Sequence, residues 1–458
     1  MKIKFIIILI VSLLSLSCDK FLDKEPENKV SIEEIFADLP GAKAALTGVY
    51  LDMFSTSYFN GPRMVYPELT GGNLRHAYPT RTSLLDLFHF SADADSSSMN
   101  TVYSHLYSML NNINNILTRV PDLADGTAAE RNEILAQAHG IRALIHLDLV
   151  QLFAQPYRYT SDASHLGIVI ADEPILVGNA QRRRATVAEV YDQIASDLQL
   201  ATDLFANSKR VFTGNRVQYM NTSALKALYA RLCLHKQDWE GASLYSSQVI
   251  AENFTLYSRE EYLPSWKTAA AKETILEVAV PTGHGGNSLG NYYVNESSNS
   301  YFQFAPSEDL LELFSEHDIR SAGGIFKYDS YNFEATSVKI IRLSEMYLIR
   351  AEALAEMGET EEAIADLNLI RLRADPEQEP WTTQNKQALI DEILNERRRE
   401  LCLEGFLFFD LMRRGLSVER SDCEGTNCNM SYPSDRFVLP IPQQSVYSNN
   451  HMEQNPGY

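Results

Sequence analysis

Basic side chains are in short supply in this chain: 40 Lys and Arg stand against 60 Asp and Glu, a formal charge of −20 over 458 residues. A surface of that sign repels phosphate backbones and anionic headgroups, so nucleic acid is excluded as a partner. Tryptophan is scarce too, present only at Trp239, Trp266 and Trp381. No Cys or His pair has a second pair nearby to complete the four ligands of a zinc site. No metal or other cofactor is expected. The N-terminal apolar stretch, Phe5 to Leu16, is far shorter than the roughly 20 helical residues needed to cross a bilayer, which argues against a retained membrane span.

What that stretch does have is Lys2 and Lys4 before it and Ser17 then Cys18 after it. A basic end, a short apolar core and a small residue at the cut form a secretory signal, over residues 1–17. Ending on cysteine is similar to a bacterial lipoprotein signal, in which Cys18 is lipidated and becomes the new N-terminus, although Ser15 stands where such signals usually carry Leu. A lipidated terminus with more than one chain holds a protein to a membrane surface. Residues 18–30 are polar and without apolar period, and read as a tether. Loss of Lys2 and Lys4 takes the formal charge from −20 to −22.

The strongest internal signal is self-similarity. With Ala242 set beside Ala363, the segment from Ala224 to Ile250 matches that from Ser344 to Ile370: Leu225 falls with Met346, Leu228 with Ile349, Ala230 with Ala351 and Val249 with Ile370. Each contains a helix with a small residue mid-face, a short polar turn (KQDW, MGET) and a second helix. This is the pattern of a tetratricopeptide unit. NNINNILTRV, AERNEILAQAHGIRALIHLDLVQLF, VAEVYDQIASDLQLATDLF and QALIDEILNERRRELCLEGFLFFDLM also place apolar residues at i, i+3, i+4 and i+7. The fold class expected is mostly α, a tetratricopeptide-like scaffold of about four helix pairs over residues 100–255 and 340–415, with a few short strands, of which ETILEVAVP is one. Such stacks are binding frameworks.

Two stretches break the helical period. Residues 57–98 and 256–335 are rich in Gly, Asn, Ser and aromatics, and long irregular segments on a rigid scaffold are where ligands are met. Several motifs there have plain readings. GNSLG, Gly286 to Gly290, fits the G-x-S-x-G pattern of a serine hydrolase with Ser288 as nucleophile, but it is fused to GHGG and followed by NYYVNESSN, which does not read as a helix. Asp93 and Asp95 begin like a calcium loop that lacks its glycine and its closing Glu. Glu68, Glu296, Glu308 and Asp309 read as solvated carboxylates rather than a glycosidase pair. Arg182, Arg183 and Arg184 read as a solvated loop, and Arg397, Arg398 and Arg399 as braces within the helix stack. Cys423 and Cys428, bracketing EGTN, read as a small-loop disulfide, with two free thiols as the alternative; Cys233 and Cys402 lie on apolar helical faces.

Taken in order, CDKFLD, AQAHGIRALIHLDLVQLFAQPY, ATVAEVYDQIASDL, IRLSEMYLIRAEALAEMGETEEAIADLNLIRLRA, ILNERRRELCLEGFLFFDLMRRG and FVLPIPQQSVYSNNHMEQNPGY resemble successive blocks of the SusD/RagB family, from Cys18 to Tyr458. The resemblance implies that residues 31–458 form one SusD-like unit. It implies an outer-membrane lipoprotein of Bacteroidetes, facing the cell exterior, that captures nutrient, most often oligosaccharide, without catalysis. It also implies a partner, a SusC-like TonB-dependent transporter. A RagB-like peptide-binding role is the alternative. Sugar recognition uses flat apolar faces and planar polar groups, and the two irregular stretches supply candidates: Asn73, Arg75 and Tyr78 from the first, Tyr292, Tyr293, Tyr301 and Phe302 from the second. None of the three tryptophans falls among them.

Overall fold

The computed structural model describes residues 31–176, 178–281, 288–293, 302–321, 327–328, 336–423 and 427–458. Cys18, the signal and the tether lie outside the described residues, as does Tyr301.

The scaffold is helical. Its main elements are α1 (Leu39–Met53), α2 (Pro62–Gly71), α3 (Asn100–Arg119), α4 (Ala128–Phe153), α5 (Val187–Ala206), α6 (Thr222–Lys236), α7 (Trp239–Ile250), α8 (Leu343–Met357), α9 (Thr360–Ala374), α10 (Lys386–Leu401) and α11 (Leu407–Arg414). Helix starts are written in the sequence. Thr127 with Glu130 and Thr186 with Glu189 form reciprocal capping boxes at α4 and α5, satisfying backbone N–H groups that the first turn leaves unpaired. Asn221 and Asp238 cap α6 and α7.

The two matched segments are the hairpins α6–α7 and α8–α9. Their first helices end alike: Gly358 closes α8 with φ +89°, and Gln237 closes α6 with φ +58°, the left-handed cap that turns a helix back on itself. All ten aligned apolar positions are buried. Helix α7 packs directly on α8, and α8 also packs on α10, so the stack runs uninterrupted past the irregular stretch that separates its halves in sequence. The core reaches from Ala42 to Ile441.

Among the described residues four short strands form two antiparallel pairs: β2 (Thr274–Val278) with β4 (Val338–Arg342), and β1 (Leu74–His76) with β3 (Phe304–Pro306). The first pair is buried throughout and carries charge inward. Arg342 donates to Glu273 at 2.6 Å, Glu400 at 3.1 Å and Glu404 at 2.7 and 2.8 Å. Lys327 reaches Glu404 at 2.7 Å, and the Trp266 ring is covered by Lys327, Lys339 and Arg342 at 4.7 to 5.4 Å. Charges this deep are tolerable only when paired and hydrogen-bonded, and the network ties the sheet to α10.

Two sequence expectations about charge need correction. Arg184 is buried, not solvated: it donates to the carbonyls of Gly167, Phe153 and Glu453. Glu68 is fully buried, accepting from Asn73 Nδ2 at 2.6 Å and from the backbone N–H groups of Leu403, Gly405 and Phe406 at 2.8 to 2.9 Å. These donors satisfy the carboxylate inside the fold, although burial still raises its pKa. Asp93 caps its own turn through Asp95 N, Ser96 N and Ser96 Oγ. The run after Gly286 is also not all loop, since Ser288–Tyr293 forms a short helix with Leu289 and Tyr293 buried at i and i+4.

Candidate ligand face

The irregular stretches meet through strands β1 and β3. Leu74 stands opposite Pro306, Arg75 opposite Ala305 and His76 opposite Phe304. The ladder is extended at both ends: Ala77 N–H donates to Gln303 O at 2.8 Å, and Ser307 N–H to Asn73 O at 2.9 Å. Gln303 N–H in turn donates to Tyr292 O at 2.9 Å, which hangs the short helix Ser288–Tyr293 on the same edge. Side chains more than two hundred residues apart in sequence thereby share one surface.

Of the residues expected to touch ligand, Arg75, Tyr78, Tyr292 and Phe302 are brought together. Tyr78 is the exposed one, at 47%. Its ring meets the buried Phe302 edge-on at 5.9 Å, and the Arg81 guanidinium lies over it at 5.9 Å. Tyr292 is half-buried against Phe304 at 5.6 Å. An aromatic ring backed by another and open on one side can receive the C–H face of a sugar ring.

Asn73 and Tyr293 are buried rather than exposed on this face. Asn73 is fully buried, donating to Glu68 and accepting from Arg398 Nε at 2.7 Å. Tyr293 is 3% exposed, and burial raises its hydroxyl pKa well above the usual value. Both support the face from behind. The side chain of Ser288, the residue that fits a hydrolase nucleophile in sequence, lies outside the described residues.

A third chain segment, not anticipated from sequence, completes the face. Cys423 and Cys428 are joined by a disulfide, and the residues leading into it reach Arg75 of β1 and the residues just past β3. Asp422 sits 3.4 Å from Arg75 Nε and accepts from Glu308 N at 2.9 Å. Ser421 donates through N and Oγ to Asp309 at 2.9 and 2.6 Å. Arg420 lies over Phe88 and Phe90 at 4.4 and 4.8 Å, and its burial pushes the guanidinium pKa down to about 10. The only sequence signal for this was the cysteine pair itself; nothing in the residues said which surface the loop would touch. A cleft of about 360 Å³ opens beside this face among Gly71, Arg398, Asp410 and Glu419. Another, of about 240 Å³, lies among Tyr103, Tyr107, Arg182 and Asn449; there Arg182 and Asn449 are engaged by Asp172 and by the Arg182 carbonyl.

Among the described residues no helix is long and apolar enough to cross a membrane, and no group of His, Cys, Asp and Glu is placed to hold a metal.

Comparison with known proteins adds two family models. One, described as the SusD family, matches residues 325–458; the other, described as starch-binding and associating with the outer membrane, matches residues 20–234. A SusD-like protein of Formosa agariphila is 22% identical over 525 aligned positions, covering 100% of this chain and 99% of its own. The starch-binding protein SusD of Bacteroides thetaiotaomicron is 32% identical over 154, covering 33% of this chain and 26% of its own. The crystal structure of a SusD superfamily protein from B. thetaiotaomicron superposes with a TM-score of 0.81 at 26% identity, over 92% of this chain and all of that one.

Proposed function

The chain belongs to the SusD/RagB family, and from that premise we propose that it captures oligosaccharide at the bacterial outer membrane, without catalysis, and passes it to a SusC-like TonB-dependent transporter. Cys18 is the lipid anchor in this reading, and the protein sits on the exterior side of the outer membrane.

The observation that carries the proposal is the pairing of Leu74–His76 with Phe304–Pro306. It gathers an exposed tyrosine, a half-buried tyrosine and a part-exposed arginine on a rigid helical stack, the combination of flat apolar and planar polar groups that sugar recognition uses. Delivery requires release, so affinity must stay modest and the transporter must favour a state of the pair that holds ligand differently from the free protein.

The test is calorimetry on the full chain in detergent against plant, host and microbial oligosaccharides and a peptide pool. Saturable heat with one glycan class, weakened by Tyr78→Ala, is the expected result. Heat with peptides alone would replace oligosaccharide by peptide as the cargo. Co-purification of a large β-barrel partner from membranes, lost when Cys18 is replaced by Ala, tests the anchor and the partnership together.

A further inference from the structure

The segment that leads into the Cys423–Cys428 disulfide is not attached to the ligand face by its backbone alone. Asp422, with only 9% of its side chain exposed, stands against Arg75, whose side chain is 39% exposed. Both described contacts of Asp422 fall on Oδ2, leaving Oδ1 to accept. Arg75 is a fork of donors beside this acceptor. Its charge is already balanced.

The surroundings point the same way. Arg81 and Arg420 also lie on this face, and Glu308 and Asp309 sit against the segment that carries Asp422, through Glu308 N–H to Asp422 and Ser421 to Asp309. A carboxylate or sulfate arriving at Arg75 would meet these acidic groups on a chain of formal charge −20. A pair of neighbouring hydroxyls would instead donate a hydrogen bond to the Asp422 carboxylate and accept one from an Arg75 N–H.

Resting on the oligosaccharide reading above, we infer that Asp422 is a specificity-determining residue: placed immediately before the Cys423–Cys428 disulfide, it pairs with Arg75 to read vicinal hydroxyls and directs the site to uncharged sugars over uronic-acid or sulfated ones. The disulfide bears on the site because one of its two half-cystines, Cys423, is the residue next to Asp422.

The experiment measures binding of maltoheptaose, cellohexaose, xylohexaose and hexagalacturonate to the full chain in detergent, for the wild-type protein, Asp422→Asn and the Cys423→Ser/Cys428→Ser double variant, with melting temperature as the check on folding. The expected result is a neutral oligosaccharide bound at least tenfold more tightly than hexagalacturonate. Asp422→Asn should weaken the neutral ligand about tenfold and strengthen hexagalacturonate, because Arg75 is left uncompensated; a residue that merely props up the fold would weaken both. The double variant should lose affinity for the neutral ligand. Preference of the wild-type chain for hexagalacturonate, or equal loss of both ligands in Asp422→Asn, would overturn the inference while leaving the oligosaccharide reading standing. No binding of any of the four sugars would overturn the inference, and heat with peptides alone would remove the reading beneath it.

Discussion

Arg398 Nε donates to Asn73 Oδ1 at 2.7 Å, linking α10 in the second helical half to the segment that carries β1. The same guanidinium reaches Gly72 O at 3.1 Å, and Asn73 passes the contact on to Glu68. A residue chosen from sequence as a ligand contact and another chosen as a helix brace thus form one buried joint beneath the face.

Replacing Asn73 by Ala breaks this joint. It leaves Arg398 Nε without its acceptor in part-buried surroundings, while Glu68 Oε2 keeps Leu403 N–H, and a stranded polar group costs about 1–3 kcal/mol. Denaturant unfolding should register a loss of that size. A change in ligand affinity with unaltered stability would contradict the supporting role.

Tyr78→Ala should do the opposite. Its ring is exposed, and surface substitutions away from special features shift stability by within about 0.5 kcal/mol. Affinity for the glycan should fall about tenfold, equivalent to about 1.4 kcal/mol. Calorimetry and thermal melting on the same sample separate the two effects.

Glu400→Gln strikes the buried ion network. Glu400 takes Arg320, Arg342 and Arg373 at 3.0, 3.1 and 2.5 Å, and removing one partner of a buried pair costs about 3–5 kcal/mol because the other charges stay behind. The unfolding midpoint should drop accordingly, and a neutral result would mean that the arginines are satisfied without it.

Stability should decline as the medium is acidified. Burial raises the Asp410 carboxyl, but Arg397 and Arg413 outweigh it and hold the group down at about 2; at Asp197, burial is likewise outweighed by His139 and Arg142, again giving about 2. Both folded values lie below the ordinary 3.8, so the unfolded chain takes up protons first. Their stabilisation is complete above the ordinary value and is lost as pH falls from about 5 towards 2, by about 2 kcal/mol for Asp410 alone. Glu68, raised by burial, works in the opposite sense, favouring the fold on the acid side of its shifted value. Asp410→Asn should flatten the acid limb of a stability profile measured from pH 7 to pH 2.

Sequence alone determined what depends on local periodicity and composition. The 3.6-residue recurrence of apolar side chains, the S/T-x-x-E starts at Thr127 and Thr186, and the small residues Ala230, Ala242, Ala351 and Ala363 are each sufficient to specify a helix, its first turn or a close helix contact. They marked the scaffold and its repeats before any coordinates. The pairing of β1 with β3, the burial of Glu68 under Leu403 to Phe406, and the approach of Asp422 to Arg75 were decided only in the tertiary structure. Each joins residues more than two hundred positions apart through strands of three residues or single side chains, and a three-residue strand has too little pattern to name its partner. Which aromatic stays exposed followed from the same packing: Tyr78 lies at the open edge, whereas Tyr293 is turned inward by a helix too short to announce itself.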